Sequence, residues 1–184
     1  RLLSELINVQ VNVERFTNLL ATRSDVEDTP EVIAKYGDTF NPKTENWEPM
    51  TGDVEFRDIS FKYPDGEEMV IEHFNLQVPA GNTVAIVGET GAGKSTLVNL
   101  LCRFYEPTAG QVLIDGRDVR ERSQLWLHSN LGYVLQTPHL FSGTVLENLR
   151  YGNENATMEQ IEAAIRAVSA EGIIERLPEG YNSV

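Results

Sequence analysis

The chain has 184 residues, enough for one domain with an appendage, and at 41% hydrophobic and 23% charged its composition is globular. Its 15 basic residues stand against 28 acidic ones, a net charge of −13, which argues against a nucleic-acid surface. The single cysteine, Cys102, excludes an internal disulfide and fits a reducing setting, and the three histidines lack metal-ligand spacing.

No apolar run approaches the roughly 20 residues needed to span a bilayer. No signal peptide is evident either, so the chain as it stands is expected to be soluble. In residues 1–22, Leu2, Leu6, Val9, Val13, Phe16 and Leu20 alternate steps of four and three. That stripe predicts a helix made to pack on another helix. Residues 24–51 are polar, aperiodic and interrupted by Pro30, Pro42 and Pro49, which reads as a linker. It should hold one short helix over residues 30–36, capped by Thr29 with Pro30 at its first position.

From Gly52 the pattern changes. Residues 54–61 alternate apolar and polar side chains and predict a half-buried strand. Tyr63-Pro64-Asp65-Gly66 is a turn, and residues 70–78 a second strand. Residues 83–87 read as a third, running into Gly88-Glu89-Thr90-Gly91-Ala92-Gly93-Lys94-Ser95-Thr96, with a helix after it. This fits the phosphate-loop pattern of a glycine, four residues, then Gly-Lys-Ser, in the strand–turn–helix context that the pattern requires. Gly88, Gly91 and Gly93 can take backbone angles closed to other residues, which turns successive N–H groups inward. The helix start adds unpaired amides and a positive dipole end. In such a loop Lys94 reaches the β- and γ-phosphates of a nucleotide, the Ser95 hydroxyl ligates Mg²⁺ and Thr96 contacts phosphate.

Residues 111–114 predict a strand closed by Asp115-Gly116, a hairpin signal. Residues 131–135 predict another apolar strand. Thr144 and Glu147 have capping-box spacing, as do Thr157 and Gln160, and Ile161, Ala164, Ile165 and Val168 mark one apolar helix face.

Tyr63, the loop, Gly110-Gln111-Val112-Leu113-Ile114-Asp115-Gly116, Val134-Leu135-Gln136 and the run from Leu140-Phe141-Ser142-Gly143-Thr144 to Asn148 stand in order along the chain. Together they resemble the nucleotide-binding domain of ATP-binding cassette transporters of the exporter type, over residues 52–184. The resemblance implies an α/β fold: a P-loop NTPase (RecA-like) core, an antiparallel β subdomain and the start of a helical subdomain, truncated. It implies that residues 1–23 continue a helix from a transmembrane domain, that 24–51 link it, and that 52–184 are the N-terminal part of the nucleotide-binding domain. ATP and Mg²⁺ are the implied cofactors. By resemblance Tyr63 stacks on adenine, while Gln136 touches Mg²⁺ and the γ-phosphate region and sits where transmembrane coupling helices dock. Lys94 and Gln136 become catalytic in the intact protein, and Ser95 and Gln136 the metal ligands. The implied partners are transmembrane domains and a second nucleotide-binding domain, as homodimer or heterodimer, at the cytosolic face of a membrane. No nucleic-acid partner is implied.

Two departures qualify the match. Thr137 stands where the family often has an acid after the glutamine. The family's Leu-Ser-Gly-Gly-Gln signature, its strand ending in Asp-Glu and its switch histidine do not occur in these 184 residues. The chain is therefore expected to bind nucleotide without turnover, although the intact protein would hydrolyse ATP. Val112-Leu113-Ile114-Asp115 imitates a magnesium-binding strand end, but Gly116 after it favours a turn and a structural Asp115. The alternatives are another phosphate-loop protein, such as a small kinase or a GTPase, and a soluble cassette ATPase. A GTPase would carry an Asn-Lys-x-Asp motif, which is missing here.

Overall fold

The computed structural model describes Val13 and residues 24–184; the predicted helix over residues 1–22 otherwise lies outside the described residues. Contacts divide the chain into two units, one ending at Gly132 and one spanning Tyr133–Val184.

The first unit is organised by an antiparallel sheet. β1 (Val54–Phe61) pairs on one side with β2 (Ile71–Val78) and on the other with β3 (Ala109–Ile114). β4 (Arg117–Asp118) extends β3, giving four strands in the order β2-β1-β3-β4. The apolar pattern of β1 slips phase. Phe56, Ile59 and Phe61 are all buried, yet a strand of period two cannot bring Phe56 and Ile59 to one face. A bulge supplies the missing step. The register of β1 shifts between Phe56 and Ile59, and Asp58 takes a left-handed φ of 49°. Its amide donates to the Asn75 side chain at 2.9 Å. A second shift follows between Ile59 and Phe61, where His73 has φ 47°. Gly110 passes so close to the bulge that a Cβ there would stand 2.2 Å from the Asp58 carbonyl oxygen, and its φ is 83°.

Asp115 and Gly116 form the predicted two-residue hairpin, both with positive φ (51° and 77°), joining Ile114 to Arg117. The Asp115 carboxylate accepts the amides of Thr51 (2.7 Å), Gly52 (2.9 Å) and Asp53 (2.9 Å), which fixes the entry to β1.

Residues 24–50 lie on the sheet unit. α1 (Pro30–Tyr36) starts as predicted, with Pro30 at its first turn and the Thr29 hydroxyl accepting the Val32 amide. Its last carbonyls, orphaned as in any helix, are met by the returning chain. Lys43 Nζ donates to Ala34 O, Asn46 Nδ2 to Lys35 O and Trp47 Nε1 to Tyr36 O, at 2.7, 2.6 and 3.3 Å.

The core lies between the sheet and two helices, α2 (Lys94–Leu101) and α3 (Gln124–Ser129). Phe56, Ile59, Phe61, Val112 and Ile114 of the sheet meet Leu97, Leu100, Trp126 and Leu127 of the helices. Full burial of such side chains contributes about 1.5–3 kcal/mol each. Trp126 also donates its indole N–H to the Glu48 carbonyl at 2.7 Å, which ties the preceding segment to the core.

Two predicted strands do not form. Residues 83–87 and 131–135 enter no β-ladder among the described residues, and Val84, Ile86, Val87, Tyr133, Val134 and Leu135 are exposed. Their apolar, β-prone character is real, but a strand exists only when a neighbour takes its amides and carbonyls. The sheet that forms uses β1 to β4 alone.

The second unit is helical. α4 (Val145–Arg150) and α5 (Met158–Ala167) both begin with complete capping boxes, Thr144 with Glu147 and Thr157 with Gln160, as predicted. Ile161 and Ile165 are buried, but Val168, read as part of that face, ends the helix and is 71% exposed. α6 (Glu171–Ile174) follows. The Asn148 side chain works as a backbone splint: it accepts from the Phe141 amide (2.8 Å) and donates to the carbonyls of Phe141 (2.9 Å) and Thr144 (3.0 Å).

Candidate functional site

The candidate site is built at the start of α2. Gly91 and Gly93 both have φ of 88°, in the left-handed region where glycine costs least. Gly93 is also closed sterically, since a Cβ there would lie 3.3 Å from Ile71 Cγ1 of β2. Gly88 differs from the expectation: its φ is not positive. A Cβ at 88 would meet Ala92 Cβ at 3.4 Å and Lys94 Cδ at 3.9 Å, ordinary van der Waals contacts. The turn between them is held by the Ala92 amide on the Glu89 carbonyl at 3.2 Å.

Gly93 is the N-cap of α2 and offers no side-chain acceptor. Within the helix the first backbone bond to its cap comes from Leu97, whose amide reaches Gly93 O at 3.0 Å. The amides of Lys94, Ser95 and Thr96 meet no acceptor among the described residues. Three unpaired N–H groups at the positive end of an eight-residue helix form an anion site by geometry alone. The Lys94 ammonium lies over the loop, donating to the carbonyls of Gly88 and of Glu89, the latter at 2.7 Å. The Ser95 side chain is exposed.

Tyr63 is brought to the same place. Its hydroxyl and the Thr96 hydroxyl share a hydrogen bond of 2.8 Å. The ring is held edge-on by Phe61 (centroids 4.8 Å, planes 81° apart) and by Tyr105 (5.1 Å, 89°). The sequence reading did not name Tyr105. Its position four residues beyond the end of α2, within Phe104-Tyr105, was the available signal. Gln136 belongs to the second unit, exposed, in the stretch that forms no ladder.

Both oxygens of the Asp115 carboxylate are engaged by the amides of Thr51, Gly52 and Asp53. Burial raises its carboxyl pKa, but the three amide donors outweigh that and hold it below the usual carboxylate range. The carboxylate serves the hairpin and the entry to β1.

A glycine-turned loop, an open helix start and an adjacent ordered tyrosine on an antiparallel sheet define a phosphate-loop nucleotide-binding domain. The family model for ABC transporters matches residues 71–182, and the chain belongs to that family. Among its relatives is an uncharacterized ABC transporter ATP-binding protein, YfiC, of Bacillus subtilis (strain 168). It is 42% identical over 171 residues, covering 92% of this chain and 28% of the relative. A probable multidrug resistance ABC transporter ATP-binding/permease protein of the same organism, YheH, is 48% identical over 135 residues, covering 73% of this chain and 20% of that protein. The structure of a bacterial Atm1-family ABC exporter with ATP bound superposes with a TM-score of 0.80 at 32% identity, over 95% of this chain and 28% of that one. The chain thus spans under a third of the length of these relatives. The family is one of P-loop NTPases, and membership implies ATP binding. Among the described residues no helix is long and apolar enough to cross a membrane.

Proposed function

We propose that this chain is the ATP-binding part of an exporter, whose whole protein couples ATP binding and hydrolysis to transport across a membrane. The observation that carries the reading is the open amide cluster at Lys94, Ser95 and Thr96, with Tyr63 tied to Thr96 beside it. Lys94 is the residue that meets the β- and γ-phosphates, the unpaired amides of Lys94, Ser95 and Thr96 cradle them, and Tyr63 stacks on adenine. The Ser95 hydroxyl, exposed at the helix start, is the residue of the first unit that would hold Mg²⁺. Mg²⁺ supplies charge neutralisation of the phosphates when bound. The similar Atm1-family exporter, solved with ATP bound, supports adenine as the base.

In this reading residues 1–23 continue from a transmembrane domain and residues 24–51 connect it to the nucleotide domain. The whole protein works at the cytosolic face of a membrane with a second nucleotide-binding domain. The chain alone binds nucleotide without turnover, because residues 1–184 contain no strand ending in Asp-Glu to polarise water. Titration calorimetry of this chain with Mg-ATP, Mg-ADP and Mg-GTP tests the reading. Adenine nucleotides should give heat that Lys94→Ala weakens at least ~10-fold, and phosphate release should stay at background. No heat with folded wild-type chain, or turnover lost in Lys94→Ala, would overturn it.

A further inference from the structure

We propose that Arg103 is a positioning residue which couples the phosphate-loop helix to the segment ahead of the sheet. Nucleotide binding and the docking of residues 26–36 then strengthen each other. The inference rests on the nucleotide reading above.

α2 ends in a full Schellman pattern: the Arg103 amide bonds Leu100 O at 3.1 Å and the Phe104 amide bonds Asn99 O at 2.9 Å. The left-handed residue in that pattern is usually glycine, yet Arg103 holds it with φ 55°. Both terminal nitrogens of its side chain are engaged, while Nε is buried without a partner among the described residues. The side chain is 2% exposed, and Nη1 donates to Asp28 Oδ1 at 2.7 Å and to Arg122 O at 3.3 Å. Nη2 donates to Glu27 O and to Glu106 Oε1, each at 3.2 Å. The Asp28 carboxylate also accepts the Gln124 amide at the start of α3, and Gln124 Nε2 reaches back to Val26 O at 3.0 Å.

The guanidinium thus joins the end of α2, the segment before α1 and the start of α3. The other end of α2, about 12 Å away for eight residues, carries Lys94, Ser95 and Thr96. A short, packed helix moves as one body, so a ligand that fixes its first turn also fixes its last. Breaking a buried ion pair by removing one partner strands the other charge, so Arg103 favours the state in which Asp28 is docked. The two-state element is the segment, docked or released, and coupling through it is reciprocal by thermodynamic necessity.

Hydrogen exchange on the whole chain, with and without Mg-ATP, reads the coupling. Ligand binding slows all core amides by global stabilisation, so the local part is what Asp28→Asn removes from residues 29–36 and leaves intact in β1. The expected result is about 5-fold extra protection of residues 29–36 by Mg-ATP in the wild type, the low end of ordinary coupling. Asp28→Asn should lose it and bind Mg-ATP weaker by a matching factor. Arg103→Lys, which keeps charge but not the fork, should behave like Asp28→Asn. Mg-ATP heat with no extra protection, or an Asp28→Asn chain that melts earlier but binds Mg-ATP unchanged, overturns the inference and leaves the nucleotide reading standing. Absence of Mg-ATP heat overturns both.

Discussion

Replacing Asp115 separates two roles that the sequence alone makes look alike. Asp115→Ala removes the acceptor of three amides, those of Thr51, Gly52 and Asp53. A hydrogen bond to a charged group contributes roughly 1.5–3 kcal/mol when well buried. Asp115 is half-exposed and its freed amides can reach water, so about 1 kcal/mol each, roughly 3 kcal/mol in all, is the figure to expect. For a chain of this size that lowers Tm by roughly 6–12 °C. Asp115→Asn keeps the left-handed preference and one acceptor oxygen, and should fall between. The pH dependence has a definite sign. The folded carboxyl pKa lies below the unfolded one, so its contribution is present above roughly pH 4 and lost as pH falls through the folded value. The stability gap between wild type and Asp115→Asn therefore closes on acidification. Thermal and urea unfolding across pH measure this, with Mg-ATP calorimetry on the same proteins. Unchanged stability combined with lost Mg²⁺ dependence of nucleotide binding would show that Asp115 is a metal ligand and that the structural reasoning fails.

Gly110→Ala places a Cβ 2.2 Å from the Asp58 carbonyl at φ 83°, and should cost more than about 3 kcal/mol in urea unfolding. Gly116→Ala, at φ 77° but facing open space, should cost only about 1 kcal/mol, and equal losses would refute the steric argument. Tyr63→Phe removes only the link to Thr96 and should change ATP affinity less than Tyr63→Ala, which loses the ring and with it roughly 1–3 kcal/mol of stacking; fluorescence titration with an ATP analogue ranks them. His73 has its pKa raised by its hydrogen bond and charge attraction to Asp58, with Glu72 adding to the same field. Its contribution is present below the unfolded value near pH 6.5 and lost as pH rises through the folded one. The Tm difference between wild type and His73→Gln should therefore be larger at pH 6 than at pH 9, and a flat difference would rule the pair out.

What was legible in the sequence is what short-range chemistry decides. Thr29 before Pro30, Thr144 with Glu147 and Thr157 with Gln160 are caps whose partners lie three residues away, and each forms as read. Asp115-Gly116 closes its hairpin for the same reason. The reading of residues 54–61 as simply alternating passes over the slip from Phe56 to Ile59, and the bulge at Asp58 is its structural answer. Residues 83–87 and 131–135 failed because strand formation is a property of a pair. Residues 24–51 read as polar and aperiodic, yet Asp28 and Glu48 make specific long-range bonds that no local pattern announces. In the loop, Gly91 and Gly93 have the backbone that the motif predicts, whereas Gly88 does not need it. Tyr63 was located by resemblance, but its tie to Thr96 across 33 residues needed the fold.

The bare stretch Val84 to Val87 sets how this polypeptide must be handled. Valine and isoleucine in an exposed run that enters no ladder among the described residues offer a template on which a second molecule can lay its own backbone. Self-association should therefore rise steeply with concentration. A charged residue at Val87, which is 88% exposed, is the conservative place to interrupt it.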